Sequence, residues 1–284
     1  MDFQQLQCEL LLDRWRNERQ LGQPRSACGP TNRISDVAGV RVGHVTLAEG
    51  ELQTGVTAIV PPGDNLYLTP LPCGAEVLNG FAKPVGLTQV EELGVLHTRF
   101  CSVTRWRWAR CLPRWYGMPS VVTRNSADAA DGEPAALECN DGWLNDIQAL
   151  AISEAMAQEA LHTAAAHFSR GSVGAGRGMS CFNLKGGSAR PRVLFRRSMP
   201  RWECWCWRIF GALSALTLDG VRLGEVIATL LAGEAPQRDA GSVIIVMATD
   251  APLDARQLKR IAKRAGAGLG RLGSYWGHGS AISP

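Results

Sequence analysis

The run Gly241-Ser242-Val243-Ile244-Ile245-Val246-Met247-Ala248 is the segment that most restricts what this chain can fold into. Six successive apolar residues, four of them β-branched, are closed by Thr249-Asp250-Ala251-Pro252 and read as a buried strand. Its cover follows at once, since Asp254 to Leu272 reads as a basic amphipathic helix with Leu258, Ile261, Ala262, Ala265 and Leu269 on its inner face. Two earlier segments, Val40 to Val45 and Gly55 to Val60, are β-branched and bounded by turn residues. Each reads as a strand, and Pro61-Pro62-Gly63-Asp64 closes the second. Residues 145 to 168 place Ile147, Leu150, Ala151, Ile152, Ala155, Met156 and Ala160 at helical spacing, with Asp146 as cap. Strands and helices therefore come in blocks, which suits sheets packed against helices in a layered α/β arrangement better than strict βαβ alternation.

The 284 residues fit one large domain. Residues 5 to 22 can form a charged helix, and Gly22-Gln23-Pro24 and Gly29-Pro30-Thr31-Asn32 mark an irregular stretch after it. This assigns 1–32 as a lead-in and 33–284 as the domain proper. The 30 Lys+Arg against 26 Asp+Glu give a net charge of +4, too mild for a nucleic-acid footprint. Nine cysteines without CxxC pairs or histidine partners argue against a zinc site and against a disulfide framework, so reduced thiols and no metal are expected. The polar start Met1-Asp2-Phe3-Gln4-Gln5-Leu6-Gln7 lacks the order of a secretory signal, and no apolar stretch approaches the roughly 18 residues of a membrane span. A cytoplasmic protein without a membrane partner is expected. The loop Gly171-Ser172-Val173-Gly174-Ala175-Gly176-Arg177-Gly178 follows a helix and is not followed by an evident one. It is therefore a connector or a ligand-approach loop and not a dinucleotide fingerprint, and no cofactor is expected.

Ser242 has two readings. One is a residue opening a core strand. The other is a nucleophile released by cleavage of the Gly241-Ser242 bond, with its new α-amine, of reference pKa about 7.7 to 8.0, as the adjacent base. Among other candidates, His44 fits a turn or core position, His278 could border a site beside Gly279-Ser280, and Cys181 reads as a small core residue.

Several runs carry a resemblance: Ile34 to His44, Thr54 to Ile59, Val77 to Val90, Asn140-Asp141-Gly142-Trp143-Leu144-Asn145-Asp146-Ile147, and Gly178-Met179-Ser180-Cys181-Phe182. In order and spacing, from about Arg33 to Ser280, they resemble the successive signature segments of the DmpA/BapA family, the L-aminopeptidase/D-esterase and β-aminopeptidase proteins of peptidase family S58. The resemblance implies a four-layered αββα sandwich and self-cleavage at Gly241-Ser242, giving 33–241 as α-chain and 242–284 as a short β-chain. It also implies an oligomer of such pairs. The reaction implied is hydrolysis of an amide or ester next to a free N-terminal amino group, in peptides of L-amino acids, amides or esters of D-alanine, or peptides of β-amino acids. On this resemblance Ser242 is the nucleophile, Ser280 its hydrogen-bonding partner, and Glu138 and Asn140 line the pocket and contact the substrate amine.

The chain also departs from that pattern. Six of nine tryptophans fall in Trp106 to Trp115 and Trp202 to Trp207, among cysteines and arginines. Tryptophan is encoded only by TGG, so a one-base shift of Trp202 to Ile209 can give Val-Gly-Val-Leu-Val-Leu-Ala-Asn, a strand running into Phe210-Gly211. Ile209 then stands where the family carries an asparagine that serves the oxyanion hole. A similar shift around Cys101 to Trp115 restores an apolar strand and helix, and at the C-terminus Ile282 replaces the acid expected two residues after Ser280. The family's chain continues past this point, so the sandwich is expected to be incomplete at its C-terminal end. The readings are an aminopeptidase with frame-shifted stretches, an inactive relative of the same fold, or an acyltransferase of the ornithine acetyltransferase type. Ser242 disfavours the last, which cleaves before threonine.

Overall fold

β-Branched alternation and a tight turn at Gly50-Glu51 make a long antiparallel hairpin of β1 (Arg41–Glu49) and β2 (Leu52–Val60), in register from Arg41↔Val60 to Glu49↔Leu52. In chain order there follow β3 (Leu71–Pro72), α1 (Leu87–Leu93), β4 (Val95–Leu96), β5 (Phe100–Thr104), β6 (Ala135–Cys139), α2 (Glu154–His162), β7 (Ser180–Cys181) and β8 (Leu184–Lys185). β9 (Trp202–Ile209), α3 (Leu223–Leu230), β10 (Ser242–Thr249), α4 (Ala255–Ala262) and α5 (Arg264–Arg271) complete the series. The structure is a computed structural model. It describes residues 31, 33–79, 84–104, 135–188, 202–209, 211–218, 220–230 and 242–275, with backbone only for 104 and 202–209.

The period-2 pattern of each strand sets the layers. On β2, Val56, Ala58 and Val60 face Ala157, Ala160, Leu161 and Ala164 of α2 and its end. Val42 and Ile59 turn the other way, onto Ile244, Val246 and Ala248 of β10. The remaining face of β10, with Val243 and Ile245, meets Leu269 and Leu272 of α5 and the residue after it. Helix α2, the sheet β1-β2-β5-β6, the sheet β9-β10 and helix α5 thus stack as αββα, the fold implied by the resemblance. Each fully buried Val, Leu or Ile in these layers contributes about 1.5 to 3 kcal/mol of transfer free energy. The close seat of α2 depends on Gly43, because a Cβ there would overlap the Ala160 carbonyl oxygen.

Three elements differ from the sequence expectation. The helix foreseen over 145–168 is a short 3-10 turn, Ile147–Ala149, followed after a break by α2. Asp146 does cap, accepting from the Gln148 and Ala149 amides, but Leu150 takes a left-handed φ of 50° and Ser153 caps α2. The cause is tertiary: Gln53 donates its amide to Asn145 and Asp146 donates its own to the Glu51 carbonyl, which fixes the chain's direction before a helix can run on. The helix foreseen over 254–272 is two helices, α4 and α5, meeting at Lys263, with Asp254 capping the first. Gly266, Gly268 and Gly270 lower the helix propensity of the second. Finally, β10 is half-buried along its length, since among the described residues it has a strand neighbour on one side only, β9. The Trp/Cys/Arg stretch 202–209 is itself a strand, pairing with β10 from Thr249↔Trp202 to Ser242↔Ile209. The lead-in helix, the stretch 105–115 and the C-terminal residues 276–284 lie outside the described residues.

Candidate active site

Ser242 opens β10, and its chain position leaves Oγ at the end of the sheet pair where strand β6 also ends. Cys139 closes β6 inside the same buried cluster as Ile244 and Val246, so the next residue, Asn140, arrives at the head of β10. The Asn140 amide donates to Ser242 Oγ at 3.1 Å. Across the ladder, Ser242 pairs with Ile209, a residue type without a side-chain hydrogen-bond donor.

The segment delivering that amide is built as a clamp. Asp141 is 1% exposed, and its Oδ2 accepts from Thr54 Oγ1 at 2.6 Å while its Oδ1 accepts from Asn145 Nδ2 at 3.2 Å. Its carbonyl accepts from the Leu144 and Asn145 amides, each at 3.1 Å. Asn145 Oδ1 in turn takes the Gln53 amide at 2.9 Å, and Asn140 Oδ1 takes the Gly142 amide at 3.1 Å. The turn 140–146 is therefore stitched to the first residues of β2.

The glycine-rich loop packs beside it. Gly174, Ala175 and Gly176 form a buried 3-10 turn, so the loop is docked and not a free connector. Gly174 has φ of +53°, and a Cβ there would meet Thr57 Oγ1, with His44 Nδ1 2.7 Å and the Val56 carbonyl oxygen 2.8 Å away. His44 Nε2 lies 3.1 Å from the Ser169 carbonyl, which can only accept, so that nitrogen carries the proton. Nδ1 then accepts from Thr57 Oγ1 at 2.9 Å, leaving the hydroxyl to accept from the Ala175 amide at 3.0 Å. Burial lowers the His44 pKa from 6.5 to about 4, partly opposed by the Ser169 carbonyl, so the ring is neutral. His44 is a positioned structural residue in β1, not in a turn.

Of the residues singled out from the sequence, the structure brings Ser242 and Asn140 together. Glu138 is 6% exposed within β6, two residues before Asn140, at the register position of Val103, whose side chain packs toward α2. Cys181 sits half-buried in β7 against the cluster of Phe182 and Leu269. Gly241, His278, Ser280 and Ile282 fall outside the described residues. Reading the sequence alone misses Thr54, Asn145 and Thr57. Their partners lie 87, 92 and 118 positions away in Asp141, Gln53 and Ala175, and no local pattern announces such pairs. Among the described residues no group of histidines, cysteines and carboxylates could hold a metal ion. Nor is any helix there long and apolar enough to cross a membrane.

An αββα sandwich with a serine heading a strand of an inner sheet, its Oγ met by a backbone amide, is the arrangement expected of a hydrolase of the N-terminal nucleophile class. The comparisons agree. The model for peptidase family S58 matches residues 32–281. Beta-peptidyl aminopeptidase BapA of Sphingosinicella microcystinivorans is 35% identical, the match covering 92% of this chain and 72% of that protein. The crystal structure of the PH0078 protein from Pyrococcus horikoshii OT3 has a TM-score of 0.78 at 36% identity, covering 94% of this chain and 76% of that one. The L-aminopeptidase D-Ala-esterase/amidase from Ochrobactrum anthropi, described as a variant of the Ntn hydrolase fold, has a TM-score of 0.76 at 30% identity, covering 92% and 75%. This chain belongs to peptidase family S58 and is a hydrolase of the aminopeptidase type.

Proposed function

We propose that the chain is a self-processing aminopeptidase in which Ser242 is both the point of cleavage and the nucleophile. The observation that carries this reading is the 3.1 Å hydrogen bond from the Asn140 amide to Ser242 Oγ at the head of β10. In processing, Ser242 Oγ attacks the Gly241 carbonyl carbon and the C–N bond breaks. The ester so formed is hydrolysed by water, which leaves a carboxylate on Gly241 and a free α-amine on Ser242. That amine, with a pKa near about 8, then takes the hydroxyl proton as Oγ attacks a substrate carbonyl. The acyl-enzyme is released by a second water. Residues 33–241 and 242–284 are the two chains of this scheme, which work as oligomers in the cytoplasm. Ser280 acts as hydrogen-bonding partner to the nucleophile.

The substrates are short peptides, amides or esters with a free N-terminal amino group, drawn from α- or β-amino acids. The named activities of the relatives, a β-peptidyl aminopeptidase and an L-aminopeptidase D-Ala-esterase/amidase, support that range. On the family resemblance Glu138 and Asn140 contact the substrate amine, Glu138 as the carboxylate of the pair. Each oxyanion formed along the path needs preorganised donors, and loss of one typically costs about 100 to 1,000-fold in rate.

The test is intact-mass spectrometry of the purified protein beside its Ser242→Ala variant. Two fragments, one ending at Gly241 and one starting at Ser242, are expected from the first and an uncut chain from the second. A wild-type chain that stays whole, or a variant that is still cut at this bond, overturns the reading.

A further inference from the structure

Strand β6 delivers the Asn140 amide to Ser242, and the turn that begins at Asn140 is held by one buried carboxylate. Asp141 directly follows Asn140 and is fully enclosed. One carboxylate oxygen accepts from Thr54 in β2, the other from Asn145 on the far side of the turn, and the Asp141 carbonyl closes the turn on the Leu144 and Asn145 amides. Gly178 approaches from the glycine-rich loop so closely that a Cβ on it would lie 2.7 Å from the Asp141 Cβ. The carboxylate is thus gripped from β2, from its own turn and from the loop. Loss of this grip would free the turn from β2, and with it the Asn140 end that meets Ser242 Oγ.

We propose that Asp141 is a positioning residue of the hydrolytic site, tied through Thr54 to β2 so that the Asn140 N–H is held on the Ser242 hydroxyl. The inference rests on Ser242 being the nucleophile. The Asp141 carboxylate is directed to Thr54 and Asn145. It acts by fixing the direction from which a donor meets Oγ, and so the rotamer from which Oγ attacks. Misplacement of a reacting group by about 1 Å costs on the order of 100-fold in rate. Thr54 is the informative handle. It is 2% exposed, it lies 87 residues from Asp141 in sequence, and its replacement by valine keeps its shape while deleting the donor.

The experiment compares wild type, Thr54→Val, Thr54→Ser and Asp141→Asn. It measures the rate of covalent labelling of Ser242 by a fluorophosphonate, kcat and KM on an amino-acyl anilide, and the melting temperature. Thr54→Val and Asp141→Asn are expected to lower the labelling rate and kcat by about 10 to 100-fold. KM is expected to stay within about threefold, and Thr54→Ser, which restores the hydroxyl, is expected to recover both rates. Thr54→Val that melts earlier yet labels and turns over at the wild-type rate per folded molecule overturns the positioning role. Equal loss in Thr54→Ser and Thr54→Val overturns it as well. Wild-type enzyme that hydrolyses the anilide without labelling at Ser242 refutes instead the assignment of the nucleophile, so the two failures are separable.

Discussion

Neutral His44 makes the stability of this fold depend on pH in a calculable way. In the folded chain burial holds its pKa at about 4, against an ordinary value of 6.5. Because the folded pKa is the lower one, the stabilisation is present in full above pH 6.5. It drains as the pH falls toward 4, where the unfolded chain binds a proton that the folded chain refuses, and changes no further below that. The full shift corresponds to about 3 kcal/mol, and the part lost between pH 8 and pH 5 to about 2 kcal/mol. The perturbation is His44→Gln in a Ser242→Ala background, so that both chains stay whole. Urea unfolding followed by far-UV circular dichroism at pH 8 and pH 5 gives the four stabilities needed. The wild-type advantage over His44→Gln should shrink by about 2 kcal/mol on going to pH 5, because other titrating groups cancel in the difference. Parallel stability curves would refute the reasoning, showing that the imidazole titrates alike in both states or that water reaches it freely.

Two further outcomes follow from the same geometry. Gly174→Ala forces a side chain into a left-handed backbone and against Thr57 and His44. A loss of more than about 2 kcal/mol is expected, read as an earlier thermal melt, and an unchanged melt would show that the loop is not docked. Ile209→Asn puts a carboxamide donor in the position paired with Ser242. A rise of about 100-fold in anilide hydrolysis is expected, and an unchanged rate removes position 209 from the oxyanion account.

The strand pair β1-β2, the strand after Ser242 and the capping by Asp146 were legible in the sequence, because alternation, turn residues and caps act over a few neighbours. The place of Ser242 at the head of that strand was legible for the same reason, whereas its reading as a nucleophile came from the family resemblance. The division of residues 145–168 into a 3-10 turn and α2 was not, since its cause is a pair of hydrogen bonds to Glu51 in the β1-β2 turn and Gln53 in β2. The docking of the glycine-rich loop on Thr57 and His44 and the grip of Thr54 on Asp141 likewise exist only once distant segments pack on β1 and β2, and the arrival of Asn140 at Ser242 only once the two sheets stack. Local propensity selects what each segment becomes. Which buried polar groups meet is decided by tertiary structure, because a group removed from water must be paired by whatever donor or acceptor the packed layers bring within 3 Å or so, however distant it is along the chain.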